Sequence, residues 1–286
     1  MWPKSFWEKI YEPIIRSSAG LGSLSGKPDP SIYDKGFLHC DLLIIGSGPA
    51  GISAALQAGR SKLNVVLADD DYILGGRINS EKFEVNNLSG NEWVSNAISE
   101  IKSMSNIRVM SRTTIYGAFD HGVFGALERK TEHIKNDNKK PRQILWRIYS
   151  KRSLLASGST ERSIAFGNND RPGIMLSGAV RSYLNRWGVA PGKNIALFTN
   201  NDDGWRTAID FQKQGINVSA IIDSRRNLPD YNLQNTPIFS GQTVIDTFGR
   251  HRINKIKISN GEDIKCDCLA VSGGWNPNVH LTCHQN

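Results

Sequence analysis

The clearest chemistry in this chain lies in residues 41–76. The apolar run Asp41-Leu42-Leu43-Ile44-Ile45 leads into Gly46-Ser47-Gly48-Pro49-Ala50-Gly51, then a small-residue helical stretch, then Val65-Val66-Leu67-Ala68-Asp69-Asp70. A strand, a G-x-G-x-x-G turn, a helix and a second strand ending in acid form the dinucleotide-binding fingerprint in its required context. Gly46 lets the chain turn tightly out of the strand, Gly48 lacks the side chain that would hold a pyrophosphate off the backbone, and Gly51 lets helix and strand pack closely. The N–H groups of the first helical turn face the phosphates, and the helix dipole favours negative charge there. Asp70 stands about 20 residues on, where a carboxylate accepts hydrogen bonds from an adenosine ribose.

Other reactive constellations are missing. There is no Cys-x-x-Cys, which excludes a thioredoxin-reductase type of dithiol relay. Cys266-x-Cys268 with Cys283-His284 falls short of the usual spacing of zinc ligands, and Cys268 alternates into a buried strand, so no metal site is expected. His39, His121, His133, His251, His280 and His284 form no H-x-x-x-H pair, and there is no G-x-S-x-G elbow. Asp69 and Asp70 sit at a strand end that suits ribose binding better than acid–base work, and Asp71 reads as solvated. No catalytic residue is assigned.

Several elements must position the glycine turn. Residues 92–104 read as a helix with Trp93, Val94, Ala97, Ile98 and Ile101 on one side, followed by three strand-like stretches over 107–119, 122–134 and 143–149. These form a meander that leads into the apolar strand Ser153-Leu154-Leu155 with a small-residue ending, Ala156-Ser157-Gly158. A second unit follows: a helix over 177–187, a strand over 195–199, a helix over 205–214 and a strand over 218–223. Its turn, Thr199-Asn200-Asn201-Asp202-Asp203-Gly204, lacks the glycine pattern, and Asp202 and Asp203 would repel a pyrophosphate. The last apolar stretch, Asp267 to Ser272 with Gly273-Gly274-Trp275-Asn276-Pro277, is expected to return the chain to the first domain. The fold class is therefore α/β: two Rossmann-like dinucleotide-binding domains of the two-domain flavoprotein, pyridine nucleotide-disulfide oxidoreductase-like type, the second nested in the first, with a β-meander. The expected boundaries are an N-terminal docking or linker segment over 1–38, a first domain over 39–165 with a return strand in 266–286, and a degenerate second domain over 166–265.

Length and composition agree with this. The chain has 286 residues, 39% hydrophobic and 22% charged, enough for two cores. No apolar run is long enough to cross a bilayer and no signal peptide can be read, so a cytoplasmic location is the default. The formal charge of +8 is concentrated between Arg129 and Arg152, around Lys139-Lys140-Pro141-Arg142, and reads as a solvated hairpin turn rather than a nucleic-acid patch. In the N-terminal segment, Trp7, Ile10, Tyr11, Ile14 and Ile15 make one helical stripe before Gly20-Leu21-Gly22. That helix either docks on its own domain or packs on another domain or subunit.

The chain resembles the alpha subunit of heterotetrameric sarcosine oxidase. The stretches that carry the resemblance are Tyr11-Glu12-Pro13-Ile14-Ile15-Arg16 with Ala19-Gly20-Leu21-Gly22, Gly46 to Gly51, and Thr113-Thr114-Ile115-Tyr116-Gly117. Asn168 to Met175, Arg181-Ser182-Tyr183-Leu184-Asn185-Arg186 and Ala270 to Pro277 with Val279-His280-Leu281 complete it, and they are more specific than the glycine motif. The resemblance implies oxidative demethylation of sarcosine with oxygen as acceptor and transfer of the one-carbon unit to tetrahydrofolate. It implies FAD on a beta subunit, FMN between beta and alpha, and gamma and delta subunits as further partners. It also implies a non-reacting NAD at the first motif, with Gly46, Gly48, Ala50 and Gly51 at the phosphates, Asp69 and Asp70 at the ribose, and Ile115 on the adenine side. Met1-Trp2-Pro3 resembles an internal stretch of the longer subunit, so a fragment is expected, without the ferredoxin-like domain before and the aminomethyltransferase-like domain after. The competing readings are a free-standing FAD-dependent oxidoreductase, an ATP- or FAD-holding subunit of an amine or opine dehydrogenase complex, and a non-catalytic nucleotide-binding scaffold.

Overall fold

A long strand, Tyr33–Ile45, organises the first half of the molecule in the computed structural model, which describes residues 4–20, 22, 26–134, 139–231 and 233–284. Its last turn pairs in parallel with Val65–Ala68 on one side and along its whole length with Gln143–Leu155 on the other. Ile107–Met110 extends the parallel set. Val123–Arg129 and Thr113–Phe119 continue it antiparallel beyond Gln143–Leu155, giving one six-stranded sheet. Alternation along the central strand decides which side each residue feeds. Ile44 joins Ile52, Ala55, Val94 and Ile101 under the helices Pro49–Arg60 and Gly90–Ser103, whereas Leu43 and Ile45 join Met110, Ile115, Phe124 and Ile148 under the meander. Burying side chains of this size stabilises by about 1.5–3 kcal/mol each.

Three expectations need correction here. Residues 107–119 are two strands, not one: Arg112 adopts a left-handed φ of 54°, which turns the chain out of the parallel set and into the meander. Residues 143–149 and 153–155 are one continuous strand, and the sheet begins at Tyr33, inside the segment expected to be a linker. Of the two readings left open for the N-terminal helical segment, Lys4–Phe6, Trp7–Tyr11 and Glu12–Ser18, docking on its own domain is not what is seen, since Trp7, Ile10, Tyr11, Ile14 and Ile15 are all at least 40% exposed. Met1-Trp2-Pro3 and Leu21, which carried part of the resemblance, lie outside the described residues.

The second half is a five-stranded parallel sheet in the order Ile174–Leu176, Cys268–Ser272, Asn194–Thr199, Asn217–Asp223, Ile238–Ser240. The helices Ser177–Trp187 and Asp202–Lys213 cover one face, where Trp205 and Phe211 are fully buried. A three-stranded antiparallel sheet, Val244–Phe248, Lys255–Ile258 and Asp263–Lys265, covers the other through Val244, Ile256 and Ile258. Cys268–Ser272 was expected in the first domain. It lies instead between two strands of the second sheet, with the register Ile174↔Leu269 and Ile195↔Cys268, and is buried on both faces there. Only the residues after it turn back. Ser159–Glu161 on the way out and Trp275–Pro277 on the way back pair as a two-stranded ribbon between the halves. Among the described residues no helix is long and apolar enough to cross a membrane.

Candidate functional site

At the end of the central strand the glycine turn is built as its spacing requires. Gly46 has φ 103°, and a Cβ there would stand 2.4 Å from the Ala156 carbonyl oxygen. Gly48 is the N-cap of Pro49–Arg60, with no side chain capping the helix, and a Cβ added to it would meet nothing within 4 Å. The turn therefore leaves an open cradle in front of a helix N-terminus, and Pro49 in the first turn lacks an N–H that would need a partner.

Three consecutive carboxylates close one side, and the structure gives them different work. Asp69 is used internally: its Oδ2 accepts from the Ser47 N–H and hydroxyl at 2.6 Å each, and its Oδ1 accepts from the Asp71 N–H at 2.8 Å. It braces the glycine turn, which corrects its equal standing with Asp70 as a ribose ligand. Asp70 is exposed at the cleft, and desolvation together with the neighbouring Asp69 charge holds its carboxyl above the usual range. Asp71 is not solvated as expected. Its two oxygens take a bidentate pair from Arg186 at 2.7 and 2.9 Å, across from the second half. Burial pushes the Asp71 carboxyl up, but Arg186 and the N–H groups of Ile73 and Tyr72 outweigh it, so the net shift is downward.

The cleft between these groups is a cavity of about 820 Å³, within the range of cofactor sites. Gly46, Gly48, Ala50, Asp69, Asp70 and Ile115 line it, whereas Gly51 is buried behind the turn. Ile115 is a core residue whose face forms a wall. The small-residue ending Ala156-Ser157-Gly158, read from the sequence as passing close to a cofactor, lines the cavity, whereas sequence reasoning gave no site role to Gly76, Arg77 or the C-terminal residues Asn278, Leu281 and His284, which line it too. A signal for the first two was present in Leu74-Gly75-Gly76-Arg77: Gly76 has φ 55° and its missing Cβ would come 3.0 Å from Gly48 Cα. The C-terminal residues are held by contacts no local pattern announces. Ser157 Oγ donates to the Asn278 carbonyl at 2.5 Å, and His284 Nδ1 accepts from the Ala118 N–H at 3.3 Å.

The second turn is closed to an anion for reasons partly different from those expected. Asn201 Oδ1 accepts from the Asp203 and Gly204 N–H groups, so the helix N-terminus caps itself. The expected repulsion by Asp202 and Asp203 is largely cancelled within the protein. Asp202 pairs with Arg225 at 2.7 Å, and Asp203 with Arg181 at 2.8 Å and Arg77 at 3.1 Å. Burial raises the Asp203 carboxyl, and the two arginines bring it below the usual range. Gly204 keeps the close-packing glycine of the first turn, since a Cβ there would lie 2.5 Å from Thr199 Oγ1.

The cysteines are all unpaired with one another, and Cys40, Cys266 and Cys268 are buried. Burial, with the nearby Asp267 charge, pushes the Cys266 and Cys268 thiols up to about 12. Among the described residues no three His, Cys, Asp or Glu side chains gather to hold a metal ion.

Two α/β halves, one a mixed sheet with an open glycine cradle and the other a parallel sheet, define a protein of the two-dinucleotide-domain flavoprotein fold. Solved structures share that architecture: P. horikoshii L-proline dehydrogenase, with TM-score 0.68, 23% identity, and coverage of 90% of this chain and 46% of that one, and T. acidophilum thioredoxin reductase, with TM-score 0.64, 18% identity, and coverage of 85% and 79%. Residues 41–124 match the family model described as FAD dependent oxidoreductase. Over its full length the chain is homologous to a segment of the sarcosine oxidase alpha subunit, being 42% identical to that of Rhizobium meliloti (strain 1021). The chain spans 29% of the length of that relative.

Proposed function

We propose that this chain is the nucleotide-binding segment of a sarcosine oxidase alpha subunit and that its glycine-turn cleft holds NAD as a structural, non-reacting cofactor. The observation that carries this reading is the contrast between the two turns: the first leaves open space in front of Gly48, and the second has helix N–H groups taken by Asn201. One nucleotide site without a second leaves no route for a pyridine nucleotide to feed a flavin in the same chain. Gly46, Gly48, Ala50 and the close packing at Gly51 would set the phosphates, Asp70 the ribose, and Ile115 the adenine wall. An acid at the ribose disfavours the extra phosphate of NADP. NAD supplies no redox step in this reading. Oxidative demethylation of sarcosine, and passage of the one-carbon unit to tetrahydrofolate, belong to the whole complex, with FAD and FMN associated with a beta subunit and with gamma and delta subunits completing it.

A second reading is favoured by the family match over residues 41–124: FAD rather than NAD in the same cleft. One experiment separates the two. The chain is purified with and without its beta partner, and the released small molecules are identified by mass spectrometry. NAD that no substrate reduces supports the first reading. FAD that NAD(P)H reduces in the isolated chain overturns it.

A further inference from the structure

Residues 168–173 belong to one of the stretches most specific to the resemblance, yet none of them lines the glycine-turn cleft. Their bonds run to a turn of the antiparallel sheet instead. Asn168 Nδ2 donates to Asp246 Oδ1 at 2.7 Å, and the Asn168 carbonyl accepts from Thr247 Oγ1 at 2.8 Å. The Arg171 guanidinium donates to the Gly249 carbonyl, and the Pro172 carbonyl accepts from the Ile253 N–H at 2.9 Å. Gly249 has φ 145°, and a Cβ there would stand 1.9 Å from the Arg252 carbonyl oxygen, so the chain reverses tightly at this glycine. The Asn254 N–H closes the turn on the Phe248 carbonyl at 2.9 Å. The turn is thus fixed at both ends, and what it displays is Arg250-His251-Arg252.

Those side chains border a cavity of about 870 Å³ where the strands Asn194–Thr199 and Asn217–Asp223 begin, at the opposite end of the second sheet from the turn capped by Asn201. Lys265 lines it from the end of the strand Asp263–Lys265. Among the described residues the one carboxylate in its wall is Asp267, and that group is engaged: it accepts from the Lys193 and Asn194 N–H groups at 2.9 to 3.0 Å and lies 3.6 Å from Arg252. Arg250 and Lys265 have no carboxylate within ion-pair distance among the described residues, and the side-chain amides of Asn235 and Asn254 in the same wall have no hydrogen-bond partner there.

We propose that this cavity binds an acidic peptide segment of a partner protein, its carboxylates on Arg250, Arg252 and Lys265 and its backbone on the asparagine amides. The inference is independent of what the glycine-turn cleft holds. Guanidinium forks match carboxylates in shape as well as charge. A side-chain amide both donates and accepts, which suits a peptide backbone, whereas a phosphate offers acceptors and leaves the amide oxygens unserved. The clamp supplied by residues 168–173 holds the turn in place before a ligand arrives, so less order has to be created on binding.

The test is a fluorescence-anisotropy titration of the full 286-residue chain with labelled hexaglutamate. Two double variants with equal charge change are compared: Arg250→Glu with Lys265→Glu in the cavity, and Lys35→Glu with Lys102→Glu on the first half, all four at exposed positions. The expected result is that the peptide binds, that the cavity variant weakens it about tenfold or more, and that the control variant weakens it about threefold or less. Pyrophosphate should displace the label only at higher concentration than unlabelled hexaglutamate does. Absence of binding overturns the inference, as does a loss in the control variant as large as in the cavity variant, which would reduce the effect to overall charge. Displacement by pyrophosphate at the lower concentration overturns the peptide as the ligand.

Discussion

The carbonyl oxygen of Gly46 occupies the place that a side chain at residue 51 would need: a Cβ on Gly51 would lie 1.9 Å from it. The third glycine of the turn is thus a packing residue, whereas Gly48 faces open space. The two separate by substitution. Gly51→Ala should destabilise the fold by about 1–3 kcal/mol through overpacking. Gly48→Val should change stability by less than about 1 kcal/mol, because φ is −66° there, yet abolish nucleotide retention. Thermal unfolding beside mass analysis of the purified proteins checks both, and retention in Gly48→Val would show that the pyrophosphate sits elsewhere.

Acid should loosen the junction between the halves before it unfolds either. The Asp71 and Asp203 carboxyls are both held below the usual range in the folded protein, and each makes an ion pair across the junction, Asp71 with Arg186 of the second half and Asp203 with Arg77 of the first. Groups of this kind stabilise fully above their unfolded pKa near 4 and lose the contribution as pH falls through the lower folded values. Small-angle scattering between pH 5 and about pH 3 should show the two halves separating, and Arg186→Leu should bring that onset to higher pH. At neutral pH the same substitution should cost on the order of 1–2 kcal/mol. An unchanged acid profile in Arg186→Leu would remove the pair from any role in holding the junction.

Glu161 works with the opposite sign. Its carboxyl is raised by burial, so its contribution is most favourable below the unfolded pKa and is lost as pH rises through the folded one. Glu161→Gln, which resembles the protonated form, should therefore raise the melting temperature at pH 7 and lose that advantage below about pH 4. A melting temperature that moves equally at both values would show that the substitution acts through packing.

Thiol reactivity offers a fourth check. Cys40, Cys266 and Cys268 are buried, with thiols raised by that burial, and Cys283 is exposed. In the native chain a thiol reagent should label Cys283 rapidly and the other three only on the timescale of unfolding. Rapid labelling of Cys40 would contradict the packing of the first sheet, and rapid labelling of Cys266 or Cys268 that of the second half.

Much of the turn chemistry and most helix boundaries were legible because they are local. The glycine spacing, the apolar side of Gly90–Ser103 and the strand runs depend on neighbours within a few residues. What escaped was set at long range. Asp71 reads as an ordinary exposed acid until Arg186, 115 residues away, is brought against it. The double-sided burial of Cys268–Ser272 announces an interior strand but carries no mark of which sheet it enters. Asn201 was read only as a missing glycine, although an Asn before two acids is a helix-capping pattern, and that cap is what closes the second turn. Arg112 gave no warning of its left-handed turn, because arginine has no preference for it.

The walls of the main cleft come from residues 45–77, 113–116, 155–159 and 278–284. A ribosome making this chain finishes the glycine turn early, but the last wall leaves the exit tunnel only after the whole second sheet has been made. A nascent chain can therefore form the cradle but cannot enclose a cofactor in it. Capture of the nucleotide waits until residues 278–284 have folded against the first half, and a tightly held nucleotide marks a chain in which they have done so.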